Sequence, residues 1–410
     1  MMNRFDREAT FTAGWKHALR LASALAALTC ISALIAPQTA QARALKNFVT
    51  DLFGGQGVNL NDPGEGVEVV NINNATIQSF GSFNNSISGN LGASSLSSAV
   101  SGSLFDITQG MPVESTESLG PLVGERAETL GKGHFNFGVS FSHTTFERLN
   151  NAPLNALSAT LAPTNCGGIP VGSLGCDDEI LLNINIKLER DVTILSGAYG
   201  ITPNWDVGLL VPIVHVKATA AATATLNDLG ADGDTFVQTG TTHASSNSGG
   251  DATGVGDIIL RSKYNLVRDT GNFADFAIYN EVKAPTGDQN NLLGSGNTDA
   301  LAEMVVSKQI GAVAPHLNLG YQFAMGKGTD RSNLRYIVGA DARVSNSVTL
   351  GADVVGQRND VGLNLVDLAI GAKWNVWDRA ILSGGILVPM NGSEGLRPDY
   401  SYSLRLEVGF

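Results

Sequence analysis

The sequence predicts an all-β chain: a transmembrane antiparallel β-barrel of about twelve strands, with fourteen the other count, preceded by a plug-like or periplasmic N-terminal segment. Three observations carry this reading. From residue 131 onward, successive stretches alternate apolar and polar residues with period two, as strands with one apolar face do. The connections between them alternate long and short. No apolar run reaches the roughly 20 residues that a spanning helix needs. A membrane could then be crossed only by a closed sheet, because lipid offers no hydrogen bonds to an open strand edge.

Residues 1–42 read as a secretory signal. Arg4, Arg7, Lys16 and Arg20 form the basic leader, residues 21–36 the apolar middle, and Ala40-Gln-Ala42 the small residues before cleavage at Arg43. Cys30 follows Leu28 and Thr29, which makes a poor lipoprotein box. The formal net charge is −12, and loss of the basic leader makes the chain more acidic still. That balance excludes the basic footprint of a nucleic-acid-binding protein.

Residues 43–119 are rich in Gly, Asn and Ser and poor in charge. Residues 67–77 and 101–107 could form short strands, and the segment could plug a barrel or add a hairpin. Composition alone does not separate that from a linker. Residues 120–410 form the barrel. Within it, Cys166 and Cys176 lie close together in a Gly/Pro-rich stretch. In an exported chain they are most simply a disulfide. The neighbouring Asp177 and Asp178 are hard oxygen donors that do not suit a thiolate metal site.

The strands follow in order. Phe135, Phe137, Val139 and Phe141 stand opposite Asn136, Gly138, Ser140 and Ser142. Ile180, Leu182, Ile184, Ile186 and Leu188 form a second apolar face, counted with the lipid-facing ones. Its alternation is lost at Glu189-Arg190-Asp191, as at a bulge or a level outside the membrane. After a Thr202-Pro-Asn204 turn, a strand over residues 205–218 runs out into a long Ala/Thr/Gly/Asp loop over residues 219–253. Strands are expected over 256–267, 273–285, 299–309, 316–325, 333–343, 348–357, 362–374 and 380–389. The last strand puts Tyr400, Tyr402, Leu404, Leu406, Val408 and Phe410 on one face, against Ser401, Ser403, Arg405, Glu407 and Gly409. It looks like the C-terminal strand that barrel-assembly machinery reads, with Tyr402, Leu404, Leu406, Val408 and Phe410 as the signal. An even strand count places both ends of the wall on the short-turn, periplasmic side. Trp205, Trp374 and Trp377 fall beside short turns, where an aromatic girdle belongs.

Charge falls on the other face. Lipid-facing Lys or Arg would cost about 2–4 kcal/mol near the midplane, and Asp257, Arg261, Lys263, Glu281, Lys283, Arg335, Asp341, Arg343, Asp353, Asp367, Lys373, Arg405 and Glu407 all sort toward the lumen. They either pair into ladders that stiffen the wall or line a solute path. Arg261, Lys263, Glu281, Lys283, Arg335, Asp341, Arg343, Arg405 and Glu407 are the lumen and transport candidates.

Catalysis is not expected. His134, His143, His215, His243 and His316 are scattered, with His316 assigned to a periplasmic turn, and neither Gly-x-Ser-x-Gly nor His-Glu-x-x-His occurs. Asp228-Leu-Gly-Ala-Asp-Gly-Asp234 lacks the closing bidentate Glu of a calcium loop. No cofactor or metal is expected.

Several stretches resemble one family of bacterial outer-membrane proteins described as phenol meta-pathway or transporter-like. They are Gly120-Pro-Leu-Val-Gly-Glu-Arg-Ala127, Leu130-Gly-Lys-Gly133, Tyr199-Gly-Ile-Thr-Pro-Asn-Trp-Asp-Val-Gly208, Gly254-Val-Gly-Asp-Ile-Ile259, Ala284-Pro-Thr-Gly-Asp288, Leu293-Gly-Ser-Gly296 and Pro315-His-Leu-Asn-Leu-Gly-Tyr321. The resemblance implies a barrel related in kind to channels for fatty acids and aromatic hydrocarbons, and brings no catalytic or substrate-binding motif with it. The expectation is a Gram-negative outer-membrane channel, in contact with lipid and the assembly machinery, for passive uptake of small hydrophobic or aromatic solutes. A porin-like pore for polar solutes, and a structural or surface-binding barrel, are the competing readings.

Overall fold

The computed structural model describes residues 44–49, 51–52, 58–62, 66–70, 118–161, 165–166, 179–227, 243–268, 274–325, 332–359, 362–377, 380–391 and 395–410. The signal sequence, Cys176 and the acidic loop at residues 228–234 lie outside them, and so does the disulfide reading.

Among the described residues, twelve strands close into one antiparallel barrel. They are β1 (Phe135–Leu149), β2 (Glu179–Thr202), β3 (Trp205–Asn227), β4 (His243–Val255, continued as Ile258–Val267), β5 (Asp275–Ala284) and β6 (Asp299–Ser307). Then come β7 (Val313–Ala324), β8 (Asn333–Arg343), β9 (Val348–Asn359), β10 (Asn364–Trp377), β11 (Ala380–Pro389) and β12 (Leu396–Gly409). Each pairs with the next in sequence, and β12 closes on β1 with Leu404 opposite Phe141 and Leu406 opposite Val139. The seam ends in a reciprocal pair: Phe135 N donates to Phe410 O at 3.0 Å and Phe410 N to Phe135 O at 2.8 Å. Within the closed ring each of the twelve strands has a paired neighbour on both sides, which is what a bilayer demands.

The alternation of the sequence becomes an in–out partition. Leu260, Leu404 and Trp377 are 59%, 55% and 69% exposed, with Phe135, Ile278, Leu319, Ile370 and Ile386 on the same outer surface. Their neighbours Arg261, Lys263, Asn318, Lys373, Arg405 and Glu407 are buried inside.

Three expectations change around β2 to β4. The face Ile180, Leu182, Ile184, Ile186 and Leu188 points inward, each residue at most 3% exposed. β1 pairs with β2 only as far as Phe146 opposite Leu188. Beyond that, Leu157–Leu161 takes over as the neighbour of β2, so a sheet of these residues with β2, β3 and β4 rises past the rest of the wall. Its inner face packs on Leu45, Phe48, Val49 and Leu52. Burying each such side chain contributes about 1.5–3 kcal/mol, so apolar residues belong inside here. There is also no bulge at residues 189–191: Glu189, Arg190 and Asp191 pair in register with Lys217, Val216 and His215. The hydrophobic pattern breaks only because Arg190 takes an inward position among apolar ones. Finally, residues 219–253 are not simply a loop. β3 runs to Asn227, and His243–Val255 pairs back along it. Ala218, Ala220, Ala222 and Ala224 are buried with residues such as Thr219 and Thr223 between them. This is period two written in small residues, which propensity reads as loop.

A kink lets β4 rejoin the wall. Between Ile213↔Val255 and Leu210↔Ile259 the two strands advance unequally, and Gly256 N donates to Pro212 O at 2.8 Å. Pro212 has no N–H to offer the ladder, so the irregularity sits where pairing is already interrupted.

Candidate functional site: a plugged lumen and the cavity above it

Residues 118–130, ahead of β1, lie inside the barrel toward the short-turn end. An irregular segment there must have its backbone groups satisfied by the wall, and it does. Leu119 N donates to Thr349 Oγ1 at 2.9 Å, Val123 N to Asp353 Oδ2 at 2.8 Å, Glu125 N to Asn318 Oδ1 at 3.1 Å and Ala127 N to Ser307 Oγ at 3.0 Å. In return, Asn318 Nδ2 donates to Glu125 O at 3.2 Å and Asn265 Nδ2 to Ala127 O at 2.9 Å. Thr129 Oγ1 donates to Pro203 O, and Leu130 N to Asp206 Oδ2, at the short-turn mouth.

Charge fixes the plug more tightly. Glu125 meets Arg261 Nη1 at 3.2 Å and Lys263 Nζ at 3.1 Å. Arg126 meets Asp341 Oδ2 at 2.6 Å, with side chains 1% and 0% exposed, and the Ser118 hydroxyl joins both. His316 Nε2 lies 2.8 Å from Asp353 Oδ1 and its Nδ1 3.6 Å from Asp341 Oδ1. Gly124 sits against that imidazole: a Cβ there would fall 2.8 Å from His316 Cδ2 and 2.9 Å from Asn318 Oδ1. Any larger residue would push the plug away from its socket.

The candidates from the sequence take different places. Arg261, Lys263 and Asp341 grip the plug. Lys283 pairs with Asp299 at 2.5 Å and Asp257 at 3.8 Å and donates to Ser295 Oγ at 2.8 Å, while Asp257 accepts from Gly287 N and Ser295 N. Together they hold the loop between β5 and β6 at the long-loop end. Glu281 accepts from the Tyr279 hydroxyl and lies 4.0 Å from Arg335. Arg405 and Glu407 are buried on the inner face of β12. Arg343 sits at the short-turn mouth, where Nη1 donates to Asn346 Oδ1 at 3.2 Å. Lys373 Nζ donates to Leu119 O at 3.3 Å. Of the assembly-signal residues, Tyr402, Leu404, Leu406 and Phe410 face outward. Val408 pairs with Phe137 and Ala380.

Among the described residues, nine carboxylates, eight Arg or Lys and His316 are buried. The two signs nearly cancel, so most of these groups neutralise one another rather than impose one sign on a solute.

The plug leaves a cavity of about 180 Å³ above it. Leu122 and Val123 of the plug form part of its lining, with Phe146, Val192, Ile194, Leu365, Leu387 and Leu396 as apolar wall. Arg190, Arg335, Arg397, Arg405, Asp367, Ser140, Ser383 and Gln357 supply the polar part. The sequence reading missed Ser118, Glu125 and Arg126, and put His316 in a turn. The one available signal was a Glu-Arg pair closing a Gly-bounded motif in a stretch otherwise poor in charge. His143, by contrast, points outward, with Nδ1 2.6 Å from Asp191 Oδ1 and Nε2 3.2 Å from Thr145 Oγ1, off the solute path.

Residues 178–332 match the family described as "Putative MetA-pathway of phenol degradation", the family kind that the sequence motifs resemble. No curated protein matches the sequence. Among solved structures, an outer-membrane channel of Pseudomonas putida F1 is similar at 14% identity, over 69% of this chain and 98% of that one, with a TM-score of 0.43. The toluene transporter TbuX of Ralstonia pickettii is similar at 11% identity over 78% and 98%, with a TM-score of 0.37. A Pseudomonas aeruginosa FadL homologue is similar at 11% over 68% and 90%, with a TM-score of 0.33.

Proposed function

We propose that this outer-membrane barrel is a channel for passive uptake of small hydrophobic or aromatic compounds, closed by residues 118–130 until solute passes. The observation that carries this is the part-apolar cavity resting on the plug, inside a wall whose outer face suits lipid. The family description, with its reference to phenol degradation, supports an aromatic cargo. Solute would enter from the long-loop end, dwell in the cavity and leave when the plug shifts. Arg261, Lys263, Glu281, Lys283, Arg335, Asp341, Arg343, Arg405 and Glu407 act in this reading as the groups that position plug, loop and solute. The mixed charge of the lumen favours a porin-like pore as the second reading, but the hydrogen-bonded plug opposes a permanently open path. Removing the gene should slow growth on dilute aromatic carbon sources and leave growth on sugars unchanged, with recovery on restoring the intact chain. Unaltered growth on the aromatic substrates would count against the proposal.

A further inference from the structure

Six residues lining the cavity above the plug carry hydroxyls, and the ladder sets them side by side. Ser140, Ser142 and Thr144 are inward positions of β1, Ser401 and Ser403 of β12, and Ser383 of β11. Ser403 is the register partner of Ser142, and Ser401 of Thr144, while Arg405 is flanked by Ser140 and Ser383. Directly paired side chains lie about 5 Å apart, so three adjacent strands present one hydroxyl-rich face. The charged groups of the lining are matched already. Arg397 pairs with Asp367, Arg335 lies 4.0 Å from Glu281, and Arg190 and Arg405 have partners of their own. The Thr144 and Ser401 hydroxyls bond each other at 2.8 Å. Ser383 differs: it is 6% exposed, and among the described residues its Oγ meets no hydrogen-bond partner. A buried hydroxyl is costly until something bonds it, and it can both donate and accept. Leu122 and Val123 of the plug, with Val192 and Ile194 of β2, make an aliphatic part of the same lining. An apolar cavity of about 150 Å³ takes a benzene ring, so about 180 Å³ has room for a ring and one polar substituent.

We infer that this cavity binds a neutral ring compound bearing a hydroxyl group, and that Ser383 is the residue that recognises the hydroxyl. The ring packs on the aliphatic lining, and its hydroxyl shares a hydrogen bond with Ser383 Oγ. This rests on the channel reading above and adds the solute's polar group and the side chain that reads it. A carboxylate meets no unmatched cation here, and a plain hydrocarbon leaves the Ser383 hydroxyl without a bond.

The test is equilibrium dialysis of the intact, refolded barrel in detergent, corrected against protein-free micelles, with benzyl alcohol, toluene and benzoate. Toluene is the same ring and carbon without the hydroxyl. In a cavity with no partner for it, the hydroxyl would be stripped of water for nothing and toluene would bind more tightly. Benzyl alcohol should instead bind at least as tightly as toluene, and more tightly than benzoate. Ser383→Ala should weaken benzyl alcohol by about two- to tenfold, the scale of one hydrogen bond, and leave toluene unchanged. The comparison in the unaltered protein does not depend on a variant folding. Tighter binding of toluene would overturn the hydroxyl site and leave the aromatic channel standing. Tighter binding of benzoate would overturn the neutral character of the site. Equal weakening of both neutral compounds by Ser383→Ala would overturn the role of that residue. Binding of none of the three would overturn both this inference and the channel reading on which it rests.

Discussion

At Glu125 one carboxylate meets two cations from a single face of β4, Arg261 at 3.2 Å and Lys263 at 3.1 Å, with all three side chains at most 4% exposed. Removing one member of a buried pair costs about 3–5 kcal/mol, because the partner charge stays behind without compensation. Glu125→Gln should therefore loosen the plug far more than it weakens the wall. The expected result is faster protease cleavage near residues 118–130 while the barrel keeps its resistance to unfolding in detergent. Gly124→Val should act in the same direction by steric means, since its side chain would collide with His316 and Asn318. Half of this arrangement was legible in the sequence. Arg261 and Lys263 lie on the polar side of an alternating strand, which marks them as lumenal. Glu125 sits in a segment with no period, so nothing local told which wall residues it would meet. His316 was misjudged because nearness to a turn along the chain does not reveal whether a side chain points into a barrel.

Strands report their facing through parity, and parity fails when the environment on one side changes. On β12 the outward set holds, and Leu404→Arg should cost about 2–4 kcal/mol if the residue lies near the midplane. Urea titration of the refolded protein in lipid would measure it. Phe410→Ala removes the ring that lies 6.4 Å from that of Phe135 and, as the assembly reading expects, should lower the yield of folded barrel in cells. In β2 the inward set is itself apolar, because the sheet of β2, β3 and β4 rises past β1 and packs on Phe48 and its neighbours. Ile184→Asp should disrupt folding there, whereas Asn185→Asp, one residue along and exposed, should be tolerated. Equal effects of the two would contradict the inward assignment of Ile184. Period two was visible in this stretch, but which face was wet was not, since a sequence records alternation without recording what covers it. Residues 219–227 hid for a related reason: alanine and threonine alternate in size too weakly to stand out.

For the whole molecule, closure in sequence order follows from connections that alternate long and short around an even number of strands, and these could be read directly. The content of the lumen could not, because it depends on contacts such as Arg126–Asp341 that span 215 positions of the chain. The plug also begins near the end of the Gly/Asn/Ser-rich segment and runs on to Leu130. Cutting the chain after residue 119 would therefore leave most of it in place. A decisive comparison must instead break its grip within the full chain. The measurement is single-channel conductance in a planar bilayer, for the intact protein and for one carrying Glu125→Gln with Arg126→Gln. The account predicts little or no steady current from the intact barrel and long-lived openings from the variant. A large steady conductance from the intact barrel, or no difference between the two, would contradict a lumen closed by residues 118–130.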